Sequence, residues 1–230
     1  MERVVKLQQA KNKRYSIKTN FSSNEFRLQK GDIIGYSGDT GYAFGPNLHF
    51  EVRDKSDAAL DPLKNGYLTP DKINPIMQKI ALVPLSKGAL VNSSPLVQTM
   101  PLFRDKNGTY LFADTISVIG NFGLAIQAID KREGSKFKYQ FHKAELFIDN
   151  KPVFTLNYNR IPYSQTNNVR TLVQFELKKH NLGEYQKLYR LTEHPKMSVH
   201  GLENNGIISC LLYTSPSPRD ATLSRMPSSA

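Results

Sequence analysis

The sequence predicts a mainly β protein built from antiparallel strands, and three observations carry that prediction. Short apolar-alternating runs recur along most of the chain, punctuated by Gly, Pro, Asn and Asp. The run "KAELFIDNKPVFTLNY" sets Asp149 and Asn150 between two alternating segments, the pattern of a tight hairpin. Helix is predicted, weakly, only from Glu2 to Tyr15, where Val4, Val5 and Leu7 give a partial apolar face among Lys, Arg and Gln.

Each element follows from its local pattern. "FRLQKGDIIGYSG" reads as a strand, a Lys30-Gly31-Asp32 turn and a second strand. "GPNLHFEVRD" reads as a third strand with Asn47, His49, Glu51 and Arg53 on one face and Leu48, Phe50 and Val52 on the other. "DPLKNGYLTPDKINP" holds three prolines, and residues 68–75 read as a linker. Beyond it, strands are predicted at Gln78–Leu85, in two runs between Ile116 and Asp130, on both sides of Asp149-Asn150, and at "VRTLVQFEL". "SVHGLENNGIIS" begins what reads as a further hairpin. This even spacing predicts an immunoglobulin-like β-sandwich over residues 76–209.

Composition narrows the class. A chain of 230 residues has room for one or two domains. Its 39% hydrophobic content is too high for a disordered protein. The net charge of +11, spread along the chain and densest at Lys11–Lys18, suits an anionic surface or polymer as well as a plainly solvated face. There is no zinc-finger spacing, RNA-recognition aromatic motif or recognition-helix pattern, so nucleic acid is not an expected partner. No run of about 18 apolar residues is present, so no membrane-spanning helix is expected. The first residues, "MERVVKLQQAKNKR", lack the apolar stretch of a signal peptide.

The last 21 residues, "CLLYTSPSPRDATLSRMPSSA", break with the rest. They hold the sole cysteine, Cys210, and no hydrophobic period. Back-translated, they resemble a sequencing-library transposon adapter, so residues 210–230 are expected to lie outside the fold. Leaving out Arg219, Asp220 and Arg225 lowers the net charge only to +10. The remainder, 1–209, has no thiol and no disulfide.

One stretch carries chemistry. A hydrolytic zinc site needs about three protein ligands, an open position for water and a base to take its proton. Two residues at i and i+2 on a strand point to the same side, so one can bind metal while the other handles the proton. "LQKGDIIGYSGDTGYAFGPNLHFEVRD" carries this geometry at Asn47 and His49. The stretch resembles the end of the lysostaphin-type (LytM-like) zinc metallopeptidase domain. That family reads roughly Lys-Gly-x-x-Ile-Gly-x-x-Gly-x-Thr-Gly, then Gly-Pro-His-Leu-His-Phe-Glu. Here Lys30, Gly31, Ile34, Gly35, Gly38, Thr40, Gly41, Gly45, Pro46, Leu48, His49, Phe50 and Glu51 fall in place. The likeness spans Phe21 to Gly66, and Glu2–Ser16 looks like a loop-helix insertion found in some members.

The resemblance implies a β-rich groove, one Zn2+, cleavage of the peptide stems that cross-link peptidoglycan, a place in the cell envelope and a possible envelope protein partner. It implies that residues 1–67 are the C-terminal part of such a domain, a truncated antiparallel peptidase-like sheet, ahead of a β-sandwich accessory domain. His49 matches the family's third zinc ligand. Asn47 stands where the family has its general-base histidine, and an amide is no base. The other ligands belong to His-x-x-x-Asp and Tyr-x-His-Leu motifs, and no histidine precedes His49. Little or no catalysis and no firm zinc binding are expected of this chain. A degenerate wall-binding or hydrolase-regulating relative is the alternative. Tyr36, Tyr42 and Phe44 either line a substrate groove or pack the hairpin. Asp39 and Asp54 are expected to close turns, and His142, His180, His194 and His200 to be surface residues without ligand spacing.

Overall fold

A computed structural model describes residues 2–18, 22, 24–25, 27–39, 44–67, 71–112, 115–201 and 204–210. The chain divides into two compact units, Met1–Phe50 and Glu51–Ala230.

The first unit opens with helix α1 (Glu2–Asn12), as its apolar spacing predicts. Lys11 lies in the last turn, where a cation complements the carbonyl end of the helix. Lys13, at φ 47°, ends the helix in the left-handed region. The Lys30-Gly31-Asp32 turn also forms. Gly31 has φ +105°, and the Asp32 carboxylate accepts the Gln29 N–H at 2.8 Å. The strands expected around that turn do not form among the described residues. Their place is taken by extended chain with a single antiparallel bridge, in which the Asn47 N–H donates to the Gly38 carbonyl at 3.1 Å. Alternation supplies an amphipathic face, but a strand also needs a neighbour to receive its ladder of hydrogen bonds.

The second unit holds strands β1 (Val52–Arg53), β2 (Ala59–Leu60), β3 (Ile76–Pro84), β4 (Leu90–Val91), β5 (Gln98–Pro101), β6 (Phe103–Arg104) and β7 (Tyr110–Leu111). It continues with β8 (Val118–Ile129), β9 (Lys143–Ile148), β10 (Lys151–Asn157), β11 (Arg160–Ile161), helix α2 (Phe175–Lys179), β12 (Gln186–Lys187) and β13 (Ile208–Cys210). The class is mainly β, and the paired strands named here are antiparallel.

Strand β8 is the spine of the largest sheet, a curled half-barrel. The order is β12-β8-β3-β5, and β13 and β4 pair with other stretches of β8. The two runs expected between Ile116 and Asp130 are thus one long strand. Cys210 joins this sheet through β13, opposite Gly120. A ladder is made by backbone atoms, so a residue whose side chain promises nothing can still complete it. The other adapter-like residues, 211–230, lie outside the described residues.

The Asp149-Asn150 hairpin forms as predicted. β9 and β10 flank the two residues, which have φ 49° and 61°. Two positive φ angles in a two-residue loop match the right-handed twist of the strands. By contrast, "VRTLVQFEL" is not a strand. It lies in a 3-10 segment (Tyr163–Leu172) followed by α2. Leu172, Gln174 and Leu177 are buried while Phe175 is exposed, which is no two-residue period. A short apolar run cannot by itself separate strand from helix.

Residues Glu51–Gly66 belong to the second unit, whereas the sequence places the domain edge at 67. Tertiary pairing makes the difference. β2 pairs with both β1 and β11, the Asp61 N–H donates to the Asn159 carbonyl, and Arg160 Nε meets Asp54 Oδ2 at 2.7 Å.

The main core joins Phe141, Phe154, Leu156, Leu172, Met197 and Val199. Two glycines make room for buried neighbours. A Cβ on Gly123 of β8 would run into the Tyr189 ring, and one on Gly206 into the Leu188 carbonyl and the Phe154 ring.

Candidate functional site

The sequence-predicted site lies in the first unit. Asn47 is held by the bridge from its N–H to the Gly38 carbonyl, which leaves its side chain exposed. His49, two residues on, is also exposed. Tyr36 and Phe44 are 91% and 99% exposed. Tyr42 lies outside the described residues. Ile33, Ile34 and Leu48 are exposed as well.

The donor set here does not fit a zinc ion. One imidazole beside one carboxamide falls short of the three or four ligands that hold zinc. Among the described residues, no three His, Cys, Asp or Glu side chains gather in metal-binding geometry.

Glu51 is engaged in an ion pair. Its carboxylate meets Arg53 at 2.6 Å, and Arg53 also meets Asp57 at 2.9 Å. Asp54 closes a turn. Its Oδ1 accepts from the Ser56 hydroxyl and from the Ser56 and Ala58 N–H groups. The Ser56 hydroxyl, the Ala58 N–H and Arg160 hold its carboxyl well below the usual carboxylate range. Asp39 is exposed.

The histidines expected at the surface divide. His180 is exposed. His142 is half-buried, with Nδ1 at 2.9 Å from Asp61 Oδ2. His200 is buried at 8% exposure, its Nδ1 accepting the Met197 N–H at 3.0 Å. Burial, with Arg190 and Lys196 nearby, lowers it to about 4. His200 is therefore a neutral core residue, correcting the surface assignment. The sequence gives no signal for this: alternation would put His200 on the side of exposed Ser198, yet it is buried next to Val199.

The geometry that sequence reasoning missed is a cavity of about 500 Å³ in the second unit. Asp61 and His142 line it from positions 81 apart in the chain, together with Asp71 and Asp130. No spacing rule links those residues; the β2–β11 pairing and the turn after β8 bring them together. Comparison of the chain with protein-family models, with curated proteins and with solved structures gives no match.

Proposed function

We propose that this chain is part of a lysostaphin-type envelope protein whose family cleaves peptide cross-links of peptidoglycan, and that the chain as written binds wall material without cutting it. The observation that carries the reading is the run from Lys30 to Glu51, where thirteen positions follow the family pattern in order. His49 is the inherited ligand position. Asn47 cannot take a proton from water, and loss of a positioned base costs about 10²–10⁴ in rate. The exposed Tyr36 and Phe44 beside the motif support contact with a polymer over packing of a core. The net charge of +11 suits an anionic wall.

The second reading is a degenerate member that regulates another hydrolase in the envelope, and Asn47 favours it. Co-sedimentation of the chain with purified peptidoglycan sacculi tests the first, alongside assay of newly freed amino groups with zinc present. Retention on sacculi without release of amines is expected. Passage of the chain into the supernatant at low salt would overturn wall binding, and release of amines would overturn the non-catalytic assignment. Retention lost on Tyr36→Ala with Phe44→Ala places the contact at the motif. Capture of a hydrolase by a chain that ignores sacculi would favour the regulatory reading.

A further inference from the structure

The sequence holds three Asn-Gly pairs, Asn65-Gly66, Asn107-Gly108 and Asn205-Gly206. An Asn followed by Gly can modify itself. The backbone nitrogen of the next residue lies within reach of the side-chain carbonyl carbon, and glycine has no Cβ to block the approach. The structure ties down two of the pairs and leaves the third open.

Asn205 is held on both sides of its peptide plane. Its carbonyl accepts the Arg190 N–H at 2.7 Å, and its Oδ1 accepts the Ile207 N–H at 3.0 Å. Gly206 is buried and donates its N–H to Asn204 Oδ1 at 3.3 Å. Asn65 is exposed, but its Nδ2 donates to the Asp61 carbonyl at 2.8 Å and its N–H to the Pro62 carbonyl at 3.0 Å. Its carboxamide is thus tethered to the preceding turn and not free to swing onto Gly66.

Asn107 lies in the loop 105–109 that joins β6 to β7. It is exposed, and its carboxamide has no hydrogen-bond partner among the described residues. Only backbone groups are held here. The Asn107 N–H donates to Asp105 Oδ1 at 2.9 Å, and the Gly108 N–H to the Asp105 carbonyl at 3.1 Å. The second bond must open for the nitrogen to react, and backbone bonds at an exposed loop tip open at little cost. The Arg104 guanidinium lies against Gly108: its Nε donates to the Gly108 carbonyl at 3.4 Å, and a Cβ placed on Gly108 would sit 3.1 Å from its Nη2. A cation there favours loss of the Gly108 N–H proton. The Asp105 carboxylate opposes this, but its Oδ1 is already engaged by the Asn107 and Thr109 N–H groups.

We propose that Asn107 is a self-modifying site, at which the Gly108 nitrogen attacks Asn107 Cγ and closes a succinimide ring. The new N–Cγ bond replaces the Cγ–Nδ2 bond, and Nδ2 leaves as ammonia, carrying away the Gly108 proton. Water then opens the ring at either carbonyl, leaving an aspartyl or an isoaspartyl residue. Nothing is oxidised or reduced. The product puts a second carboxylate beside Asp105. In the isoaspartyl form it also adds a backbone carbon to the loop that sets Phe103 opposite Leu111 and Arg104 opposite Tyr110. Loop length fixes the register of a hairpin, so the change unfastens this ribbon. Among the described strands β6 and β7 pair only with each other, which confines the effect to them. The inference stands whether or not the peptidase-like reading holds.

Peptide mapping by mass spectrometry tests it, on the full chain held in mildly alkaline buffer with and without urea. Circular dichroism verifies the fold before incubation. In the folded chain the Asn107 peptide should gain the mass of an amide exchanged for a hydroxyl, and chromatography should resolve an aspartyl and an isoaspartyl form of it. Asn65 and Asn205 should convert about tenfold or more slowly, because their tethers must break first. In urea the three rates should converge. Asn107→Ser, which keeps a turn-forming side chain, should show no gain at that peptide. Conversion of Asn65 or Asn205 as fast as Asn107 in the folded chain would overturn the proposal. So would a folded Asn107 that stays intact while the urea-unfolded chain converts it, or a product that is aspartyl only, which direct hydrolysis without a ring would give.

Discussion

Lowering the pH should unfasten the main core through His200. Its ring lies 5.5 Å from the Phe154 ring, and β10 meets its backbone through the Leu156–His200 bridge. Nδ1 already accepts the Met197 N–H, so a proton added there would face a donor and break that bond. Arg190 and Lys196 add repulsion, and burial removes the water that would solvate the charge. The folded value near 4 lies below the ordinary 6.5, so the unfolded chain takes up the proton first. The stability due to the neutral ring is therefore full above pH 6.5 and is lost as pH falls toward 4. One unit of difference is worth about 1.4 kcal/mol. Allowing for solvent reaching the site, roughly 2 kcal/mol should disappear between pH 7 and about pH 4.5. Asp130, whose raised carboxyl works in the opposite direction, partly masks this in the wild-type chain. The comparison is consequently with His200→Asn, whose amide oxygen replaces the Nδ1 acceptor and does not titrate. Urea denaturation followed by circular dichroism at both pH values gives the two differences. The variant should lose about 2 kcal/mol less than the wild type. Equal losses in the two proteins would refute the reasoning.

Three further outcomes follow from the same geometry. Gly123→Ala should cost about 1–3 kcal/mol by forcing a Cβ against the Tyr189 ring; a shift in the urea midpoint measures it. At the hairpin loop, Asn150→Val should destabilise by about 1–2 kcal/mol, because a β-branched residue at φ 61° is strained, whereas Asn150→Gly should be neutral or slightly stabilising. Dialysis against excess zinc followed by metal analysis should leave no stoichiometric zinc on the chain, and Asn47→His, which makes a two-histidine pair with His49, should raise affinity without reaching that of a three-ligand site.

Several elements were legible because the information is local. The Asp149-Asn150 loop carries its own conformational preference, since Asp and Asn accept a left-handed backbone, and the alternating runs beside it needed only each other. Helix α1 and the Lys30-Gly31-Asp32 turn follow from spacing and glycine in the same way. The resemblance carried by Lys30–Glu51 also resides in sequence order and does not depend on how that segment folds. Other features depend on atoms far apart in the chain. "VRTLVQFEL" alternates like a strand but takes helical turns, with Gln174 accepting the Tyr189 hydroxyl 15 residues away. The fate of Glu51–Gly66 was decided by Arg160, which reaches back to Asp54. His200 looked like any surface histidine until β10 covered it.

The sequence by itself determined the mainly β class, the hairpin and the chemical poverty of the motif: one imidazole and one amide cannot become a zinc site by folding alone. Tertiary structure decided where Ile33, Ile34 and Leu48 lie, because an amphipathic segment is buried only when a neighbour covers it. It also decided that Asp61, Asp130 and His142 share one cavity. That cavity is a place in space, and no stretch of the chain contains it.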